Sequence, residues 1–548
     1  MLIGLSDFKM QVEKSYYVDK TGIIDELAER LDTSTGIIIN RPRRFGKSLM
    51  LSMLDAFFSD RYDNVDLFNG LSVAKSKNMA LRNTLPVINL SFKDSSGIPP
   101  EKMVSSFMDT IAVLYRSFQN EVTSFLDEHE KKYFDRIVDS SASREDYMKS
   151  LNSLCTFVQR AKGKKAIILV DEYDAPIERV FDSGDFQDVV DFLKGFFVAS
   201  FKDVSNFSFA LLTGVFSITK GTLGSGLNNL PVDSAISRAL KHNYFGFTDE
   251  EVMRLCTDFH VPSTEIENIR NYYGGYMFGG EKVCNPWSVL NYIDSLQYAT
   301  YWNASGSNAT FVKALNKNEI LTQENLLVLL QSGKRIHLDP SSSYDTIYTS
   351  EANLILYLVM AGYFTVRPMD FANYFVFPPN LETKYAFMEQ IRRKYKDKDG
   401  LSHLDEIRNC FLYGDEERLS YHIKSLLLSS LSYYDFGNEK SYQIMIGTLL
   451  ALAFSDCVCR YEVISGTGRC DIMLRNKAKG QFGAVIEIKY HATPISSARL
   501  NASAERALNQ ILSQEYHDEL LSSEADPIYA YGFAFMKNKV AVKSKRIR

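Results

Sequence analysis

The segment Arg41–Ser48, RPRRFGKS, joins an apolar run at 36–40, GIIIN, to a stretch with helical periodicity. A strand, a tight turn and a helix in this order form the context that a phosphate-binding loop requires. Such a loop needs backbone N–H groups turned inward, a lysine for the outer phosphates and a hydroxyl for Mg²⁺. Gly46, Lys47 and Ser48 supply these groups. The segment therefore predicts a nucleotide phosphate site.

Residue 41 departs from the usual pattern. GxxxxGK[ST] has glycine at its first position, where this chain has Arg41. A basic turn before a helix therefore stays open as the alternative interpretation of the motif taken alone.

A second apolar run, Ala166–Val170, ends in the adjacent carboxylates Asp171 and Glu172. A buried strand with this ending is the Walker B design, in which Asp171 would hold Mg²⁺ and Glu172 would orient the attacking water. The two carboxylates could instead cap the next helix. Because both motifs occur in order on predicted strands, the sequence favours nucleotide binding.

A further strand, in FALLTGVFSITKG, ends at Thr213. A polar group at this point could sense the γ-phosphate, which makes Thr213 and Ser217 candidates. Both could equally be ordinary loop residues.

A second carboxylate pair lies near the C-terminus. Asp471 begins one β-like segment, and Glu487 and Lys489 alternate on the next, so the latter two point to one face of a sheet. If the strands pair, two carboxylates and one ammonium converge, a set that suits Mg²⁺ or Mn²⁺ and metal-assisted hydrolysis. The pattern D-x₁₅-E-x-K is weak alone, since E-I-K also occurs on solvent-facing strands.

The secondary-structure elements that position these residues are predicted to form an α/β fold. Four short apolar runs alternate with helical patterns, as in a parallel sheet covered on both faces. The predicted strands are Gly36–Asn40, Pro86–Phe92, Lys165–Asp171 and Phe207–Thr213. The predicted helices are Lys47–Phe58, Lys102–Glu128, Arg144–Ala161 and Phe186–Phe201.

Residues 245–420 are mostly helical with aromatic clusters, and a helix followed by a hairpin after Leu354 is open to interpretation as a winged helix. Two further helical patterns occupy 416–455. Three β-like segments, a helix at Ala502–Leu512 and a strand at Ile528–Phe535 complete the chain. We predict domains at 1–245, 246–415 and 416–548.

Composition excludes several classes of protein. The chain has 548 residues, 45% hydrophobic and 24% charged, which is the ordinary globular mixture and not that of a disordered chain. The net charge is −5, yet residues 460–548 hold 14 basic and nine acidic residues. This basic segment is the part best suited to meet phosphate, although a solvated basic tail over Lys537–Arg548 would give the same count.

The cysteines and the apolar runs indicate the cellular compartment of the protein. Seven scattered cysteines predict no disulfide framework and favour a reducing compartment, the cytoplasm. The N-terminus lacks the pattern of a signal peptide, and the longest apolar stretch, Leu354–Val366, is too short to span a bilayer. We expect no membrane partner.

Several motifs together resemble the uncharacterised AAA-ATPase-like family, which pairs an ATPase with a C-terminal nuclease-like domain of the PD-(D/E)XK superfamily. The motifs are SYYVDKT (15–21), RPRRFGKS (41–48), VDEYDAPI (170–177), SGLNNL (225–230), YFGFT (244–248), YGGY (273–276) and NPWS (285–288).

The resemblance implies an additional-strand P-loop ATPase that uses ATP and Mg²⁺, with arginine habitual at the position of Arg41. The family commonly has Ser-Arg after the TGV turn, whereas this chain has Phe216-Ser217, so Arg43 and Arg44 are the phosphate contacts to consider.

For the C-terminal segment, the resemblance implies a helix, three strands, a helix and a strand, with DNA as the substrate. It also makes Glu439 an extra metal ligand and Gln510 a contact of the site.

Three functions remain open: an ATPase coupled to a DNA nuclease, an ATP-dependent switch with a nuclease output, and a nucleic-acid or protein-binding module with a degenerate nuclease site. Self-association also stays open, because no residue pattern indicates the oligomeric state.

Overall fold

The computed structural model describes residues 3–62, 67–93, 97–202, 204–216, 230–304, 321, 325–326, 329–330, 333–394, 403–429, 439–454, 457–476, 478 and 480–548. The chain divides into two compact units, one of Met1–Leu321 with Ser332–Thr383 and one of Thr322–Gln331 with Lys384–Arg548. The first unit thus takes in most of the predicted middle region. The domain boundaries at 245 and 415 stay predictions, since a compact unit can hold more than one domain.

The first unit contains a five-stranded sheet in which every neighbouring pair is parallel, in the order β2-β3-β4-β1-β5. Its strands are β1 (Thr35–Asn40), β2 (Val87–Ser91), β3 (Ala166–Asp171), β4 (Phe207–Gly214) and β5 (Val232–Asp233). All residues of β3 and β4 are buried, because their continuous apolar runs are covered on both faces. The predicted parallel α/β sheet is confirmed.

Eight helices of the first unit flank or precede this sheet: α1 (Phe8–Lys14), α2 (Ile23–Ala28), α3 (Lys47–Phe58), α4 (Met103–Val122), α5 (Glu128–Val138), α6 (Arg144–Lys162), α7 (Ala175–Val180) and α8 (Phe186–Phe201). Local sequence sets their ends. For example, Ser143 and Asp146 form a capping box at the start of α6, and Gly163 ends the helix in the left-handed conformation.

The rest of the first unit is helical with short strands. It contains α9 (Asp249–Asp258), α10 (Ile266–Tyr273), β6 (Tyr276–Phe278), β7 (Glu281–Val283), α11 (Pro286–Ser295), α12 (Tyr301–Ala304), β8 (Lys334–His337), α13 (Glu351–Met360), β9 (Thr365–Asp370), β10 (Asn373–Phe377) and the start of α14 (Leu381–Lys394). The predicted helix and hairpin are α13, β9 and β10, and β8 adds a third antiparallel strand. Their description as a winged helix stays a prediction.

The second unit is built on a mixed sheet in the order β11-β12-β13-β14-β15, in which only β13 and β14 run parallel. Its elements are α15 (His403–Tyr413), α16 (Glu416–Ser429), α17 (Glu439–Ala453), β11 (Cys457–Ser465), β12 (Gly468–Asn476), β13 (Gly483–Tyr490), α18 (Ser497–Ser513), α19 (Asp518–Ser522), β14 (Ile528–Met536) and β15 (Lys539–Arg546). Helix α18 lies so close to β14 that a Cβ on Gly532 would stand 2.2 Å from the Ala504 carbonyl oxygen.

The interpretation of Lys537–Arg548 as a solvated tail is wrong. Residues Lys539–Arg546 form β15, which pairs antiparallel with β14, and Ala541 and Val542 are buried. Because successive side chains of a strand point to opposite faces, both faces of β15 pack on the unit at its centre, and its exposed basic residues, Lys539, Lys545 and Arg546, lie toward its ends.

No helix among the described residues is both long and apolar enough to cross a lipid bilayer.

Candidate active sites

The 41–46 loop connects the end of β1 to the start of α3. Gly46 precedes the helix with φ of 86°, a left-handed conformation that glycine adopts without steric cost. The first N–H groups of α3 have no acceptor within the helix and carry a positive partial charge. The loop therefore presents a helix N-terminus suited to an anion, as the sequence predicts.

Lys47 lies at the first turn of α3 and its side chain reaches back over the loop. Its Nζ donates hydrogen bonds to the carbonyl oxygens of Arg41, at 2.9 Å, and Pro42, at 3.0 Å. Burial lowers the pKa of Lys47, and the carboxylates of Glu172 and Asp171 oppose that effect. The ammonium thus has neutral partners that a phosphate could replace.

Arg41 does not face the loop. Its side chain is buried, forms an ion pair with Asp233 at the end of β5, and donates to the Asn40 carbonyl oxygen. Its guanidinium also lies 4.6 Å from the centre of the Phe278 ring. The arginine that replaces the usual glycine therefore joins the loop to the neighbouring strand and stays clear of the phosphate position.

Arg43 and Arg44 have partners outside the loop. Arg43 binds both carboxylate oxygens of Glu178, at 2.8 and 3.0 Å, and the negative charge of Glu178 raises the arginine pKa. The guanidinium of Arg44 lies 4.3 Å from the centre of the Trp287 ring. A phosphate contact by either arginine thus competes with an existing interaction.

The predicted carboxylates stand at the end of β3, where Asp171 is the last residue of the strand and Glu172 follows it. Asp171 is buried and accepts a 2.7 Å hydrogen bond from the hydroxyl of Thr213, the last residue but one of the adjacent strand β4. Glu172 follows with φ of 52°, and burial raises its pKa. The structure thus brings Asp171 and Thr213 together and turns Glu172 toward the cavity described next.

A cavity of about 490 Å³ opens beside the 41–46 loop. Arg43, Arg44, Gly46, Lys47 and Ser48 line it, and Glu172 lies in its wall. Asp171 and Thr213 are buried and are not among the residues that line it. A further part of the lining is mainly apolar and aromatic and comes from the segments 3–6, 16–18, 244–247 and 286–290. The cavity therefore combines an anion-binding loop, a carboxylate and an apolar wall.

Asp174 is a buried residue that the sequence did not mark as important. Its Oδ2 accepts hydrogen bonds from the backbone N–H groups of Val215 and Phe216, at 3.0 and 2.8 Å, and from the Tyr344 hydroxyl at 3.0 Å. Burial raises its pKa. Asp174 thus fixes the chain that follows β4 and Thr213.

In the second unit, Asp471 on β12 and Glu487 on β13 meet at adjoining positions. Ile472 pairs with Ile486, so the two carboxylates flank this pair. The Asp471 Oδ2 accepts a 2.6 Å hydrogen bond from the Ile488 N–H, and Lys489 Nζ donates to Glu487 Oε1 at 2.8 Å. The three residues predicted to converge therefore do so.

Both carboxylates of this pair have raised pKa values, which indicates that nearby positive charge does not fully compensate for their burial. Burial and the charge of Glu487 raise the pKa of Asp471 to about 7, and burial also raises the pKa of Glu487. Burial lowers the pKa of Lys489, but its hydrogen bond to Glu487 and the nearby negative charges of Glu487, Asp471 and Glu439 together outweigh this, so the net shift is upward. Glu487 Oε2 is buried without a hydrogen-bond partner among the described residues.

These residues fit a divalent cation. An unpartnered buried carboxylate oxygen beside a second carboxylate is the oxygen donor set that Mg²⁺ or Mn²⁺ prefers. Glu439, the first residue of α17, instead accepts a 3.2 Å hydrogen bond from the Tyr490 N–H. No group of three or more His, Cys, Asp or Glu side chains in the described part of the chain is arranged to hold a metal. Two carboxylates therefore form the core of the donor set, and water would complete it.

Comparison with protein families finds a match for an N-terminal segment and for a C-terminal segment of the chain. Residues 2–224 match a family described as predicted AAA-ATPases, and residues 437–545 match the PD-(D/E)XK nuclease superfamily. The chain carries both domains. The AAA-ATPase-like domain contains the 41–46 loop and the carboxylates of β3, and the PD-(D/E)XK domain contains Asp471, Glu487 and Lys489.

A relative among curated proteins is an uncharacterised protein from the region 5′ of vnfD in Azotobacter chroococcum mcd 1. It is 26% identical over 403 residues, which cover 72% of this chain and 70% of the relative. No solved structure matches this chain.

The sequence predicts two further site contacts, by Ser217 and by Gln510. Ser217, like most of SGLNNL, lies outside the described residues of the AAA-ATPase-like domain. In the PD-(D/E)XK domain, Gln510 Nε2 donates to the Tyr516 hydroxyl at 3.3 Å. Its contact with the carboxylates stays a prediction.

Sequence reasoning missed the partners that hold the AAA-ATPase-like loop: Asp233, Glu178 and Trp287. Each lies more than 130 positions from the loop arginine that it contacts. Only the NPWS motif gave a signal for Trp287, as part of the family resemblance.

Proposed function

We propose that this chain binds and hydrolyses ATP in its AAA-ATPase-like domain and cleaves DNA with Mg²⁺ or Mn²⁺ in its PD-(D/E)XK domain. The observation that carries the nuclease assignment is the buried, unpartnered Oε2 of Glu487 beside Asp471. A buried polar group of this kind calls for an explanation, and a bound ion is one of those that apply in native proteins. A metal ion beside Asp471 would supply it.

In the ATPase half, Lys47 would exchange its two carbonyl partners for the β- and γ-phosphates. Ser48 and Asp171 would hold Mg²⁺, and Glu172, in the cavity wall, would orient the attacking water. Thr213 would respond to the γ-phosphate through its hydrogen bond to Asp171. Arg43 and Arg44 would add phosphate contacts after leaving Glu178 and Trp287.

In the nuclease half, Asp471 and Glu487 would hold the metal, with Glu439 joining them after release of the Tyr490 N–H. The bound metal would activate water and stabilise charge on the phosphate. Lys489, held against Glu487, would face the developing negative charge. The exposed basic residues of β15, Lys539, Lys545 and Arg546, offer phosphate contacts on the same domain.

We place the protein in the cytoplasm, which suits seven cysteines that form no disulfide in the described structure. Whether ATP turnover drives cleavage or acts as a switch is an outcome of the test below. The same preparation also tests self-association, by its molar mass with and without ATP.

The nuclease test uses the full chain with labelled single- and double-stranded DNA, with Mg²⁺, Mn²⁺ or EDTA, and with or without ATP. We expect metal-dependent cleavage by wild type and by Asp518→Asn, a change at an exposed carboxylate of the same domain. Asp471→Asn should not cleave. DNA binding without cleavage under every metal condition would contradict the nuclease assignment and favour the binding module.

The ATPase test measures nucleotide binding and phosphate release. Lys47→Ala should lose both, because the phosphates lose their cationic partner, while the exposed-site control Lys132→Ala should match wild type. Unchanged ATP affinity and hydrolysis in Lys47→Ala would contradict the assignment. ATP turnover that rises with DNA would indicate a motor, and DNA-independent turnover with a change in assembly would indicate a switch.

A further inference from the structure

The cavity beside the 41–46 loop has two chemically different sides. One side carries Lys47, Glu172 and the Arg43–Glu178 pair, which suits phosphate and its counterions. The other side is formed by residues of SYYVDKT, YFGFT and NPWS, together with the N-terminal arm, Ile3–Ser6. The proposed phosphate chemistry uses none of these residues.

The apolar side is the exposed edge of an aromatic core. Tyr16, Val18 and Leu290 pack against a buried cluster that includes Phe247, and each of the four also lines the cavity. Lys20 adds little free charge, because its ammonium binds both carboxylate oxygens of Glu251 at 2.6 and 2.7 Å. This side of the cavity is therefore apolar and carries almost no net charge.

Trp287 joins the apolar side to the phosphate side. The Arg44 guanidinium lies 4.3 Å from the centre of its ring. A Cβ on Gly4, which has φ of 86°, would stand 2.6 Å from the Trp287 Cζ3. The N-terminal arm thus lies directly against the indole, and Gly4 is required there both by its backbone conformation and by this close approach.

We infer that the apolar side binds the nucleobase of the nucleotide whose phosphates meet the 41–46 loop. This inference rests on the proposed function and adds to it the residues that recognise the base. A nucleobase is flat and largely apolar on its faces, so it gains by leaving water for aromatic and aliphatic walls. The base would lie between the N-terminal arm and the edge formed by Val18, Phe247 and Leu290, with Trp287 closing the side next to Arg44.

The test uses calorimetry to compare the affinity for two ligands, MgATP, which has a base, and magnesium tripolyphosphate, which has none. Wild type should bind MgATP about 10- to 100-fold more tightly, the range expected for one aromatic contact with a base. Trp287→Ala and Leu290→Gln should reduce that ratio to below about threefold and leave tripolyphosphate affinity within about twofold of wild type. Phe371→Ala, which removes a ring that is 95% exposed at a hairpin tip, should keep the wild-type ratio.

Other outcomes would overturn the inference in distinguishable ways. Equal affinity of wild type for both ligands would show that the base is not held, while the phosphate site of the proposed function would stand. Binding of neither ligand would overturn the proposed function and this inference with it. If Trp287→Ala weakened both ligands equally and Leu290→Gln had no effect, Trp287 would act only through Arg44, and the base site would be wrong.

Discussion

The side chain of Arg41 shows how one residue can depart from a motif without loss of the motif's geometry. The backbone still passes from β1 into the loop, and the side chain points away to Asp233. Asp233 in turn accepts hydrogen bonds at 2.8 Å from the N–H groups of Ala239 and Leu240. The pair therefore ties the loop to β5 and to the chain that follows β5.

Breaking this buried pair should be costly, because removal of one partner leaves the other charge without compensation. We expect Asp233→Asn to lower the free energy of unfolding of the first unit by about 3–5 kcal/mol. Arg335→Ala, which breaks the exposed pair with Asp370, should cost less than about 1 kcal/mol. Urea unfolding followed by tryptophan fluorescence measures both, since Trp287 and Trp302 are the chain's two tryptophans. Equal effects would show that the buried pair has no special role.

A substitution at Glu172 tests a different property, the orientation of the water that attacks ATP. Glu172→Gln keeps the shape of the side chain and leaves Asp171 in place but removes the basic oxygen. We expect ATP affinity to be retained and hydrolysis to slow by ~10²-fold or more. Titration calorimetry and single-turnover phosphate release would check this, with the exposed Glu145→Gln as the control. Loss of ATP binding would mean that Glu172 is not the water-orienting base.

At the scale of elements, Glu382 connects three helices of the first unit. It lies in the first turn of α14 and is buried. It accepts hydrogen bonds from the Ser288 hydroxyl in α11, at 2.8 and 3.0 Å, and from the Trp302 N–H in α12, at 2.7 Å. Burial raises its pKa from 4.5 to about 7. This junction therefore depends on pH.

The sign of that dependence follows from proton binding. Between pH 4.5 and about 7, the folded protein keeps the Glu382 proton that the unfolded chain has lost, so stability falls as the pH rises. Wild type should lose up to about 3 kcal/mol across this window relative to Glu382→Gln, whose amide does not titrate. Tryptophan fluorescence during urea unfolding at several pH values measures the difference. Glu267→Gln, an exposed control, should follow wild type, and parallel curves for wild type and Glu382→Gln would contradict the shift.

At the scale of the whole molecule, the two candidate active sites draw on separate sets of residues. Lys47, Asp171 and Glu172 belong to the first unit, and Asp471 and Glu487 belong to the second. Among the described residues, the two proposed sites have no side chain in common. Coupling between the two proposed sites would therefore act through conformation or assembly.

Loss of one site should consequently spare the other. Asp471→Asn removes one of the two carboxylates that meet at the nuclease site, so we expect cleavage to disappear and ATP hydrolysis to continue at the wild-type rate. DNA retention should change little, because the exposed basic residues of β15 remain. Cleavage, retention and phosphate release are scored separately at fixed salt. An Asp471→Asn protein that folds normally but no longer hydrolyses ATP would show tight coupling.

Local chemistry explains why the sequence alone predicts the parallel sheet, the 41–46 loop and both carboxylate sets. Apolar runs specify buried strands, and Gly46, Lys47, Asp171 and Glu487 occupy positions defined by those strands and their ends. Neighbouring residues determine these features, so one chain is enough to recognise them.

The partners of the loop arginines depend on the tertiary structure, because packing brings together residues that no local pattern relates. Arg41 meets Asp233 across 192 positions, and Arg43 meets Glu178 across 135. The same holds for β15, whose lysines resemble a solvated tail until β14 provides the strand on which Ala541 and Val542 pack. Sequence spacing determines which residues share a strand, whereas burial against distant elements determines which charges are neutralised and which remain for a ligand.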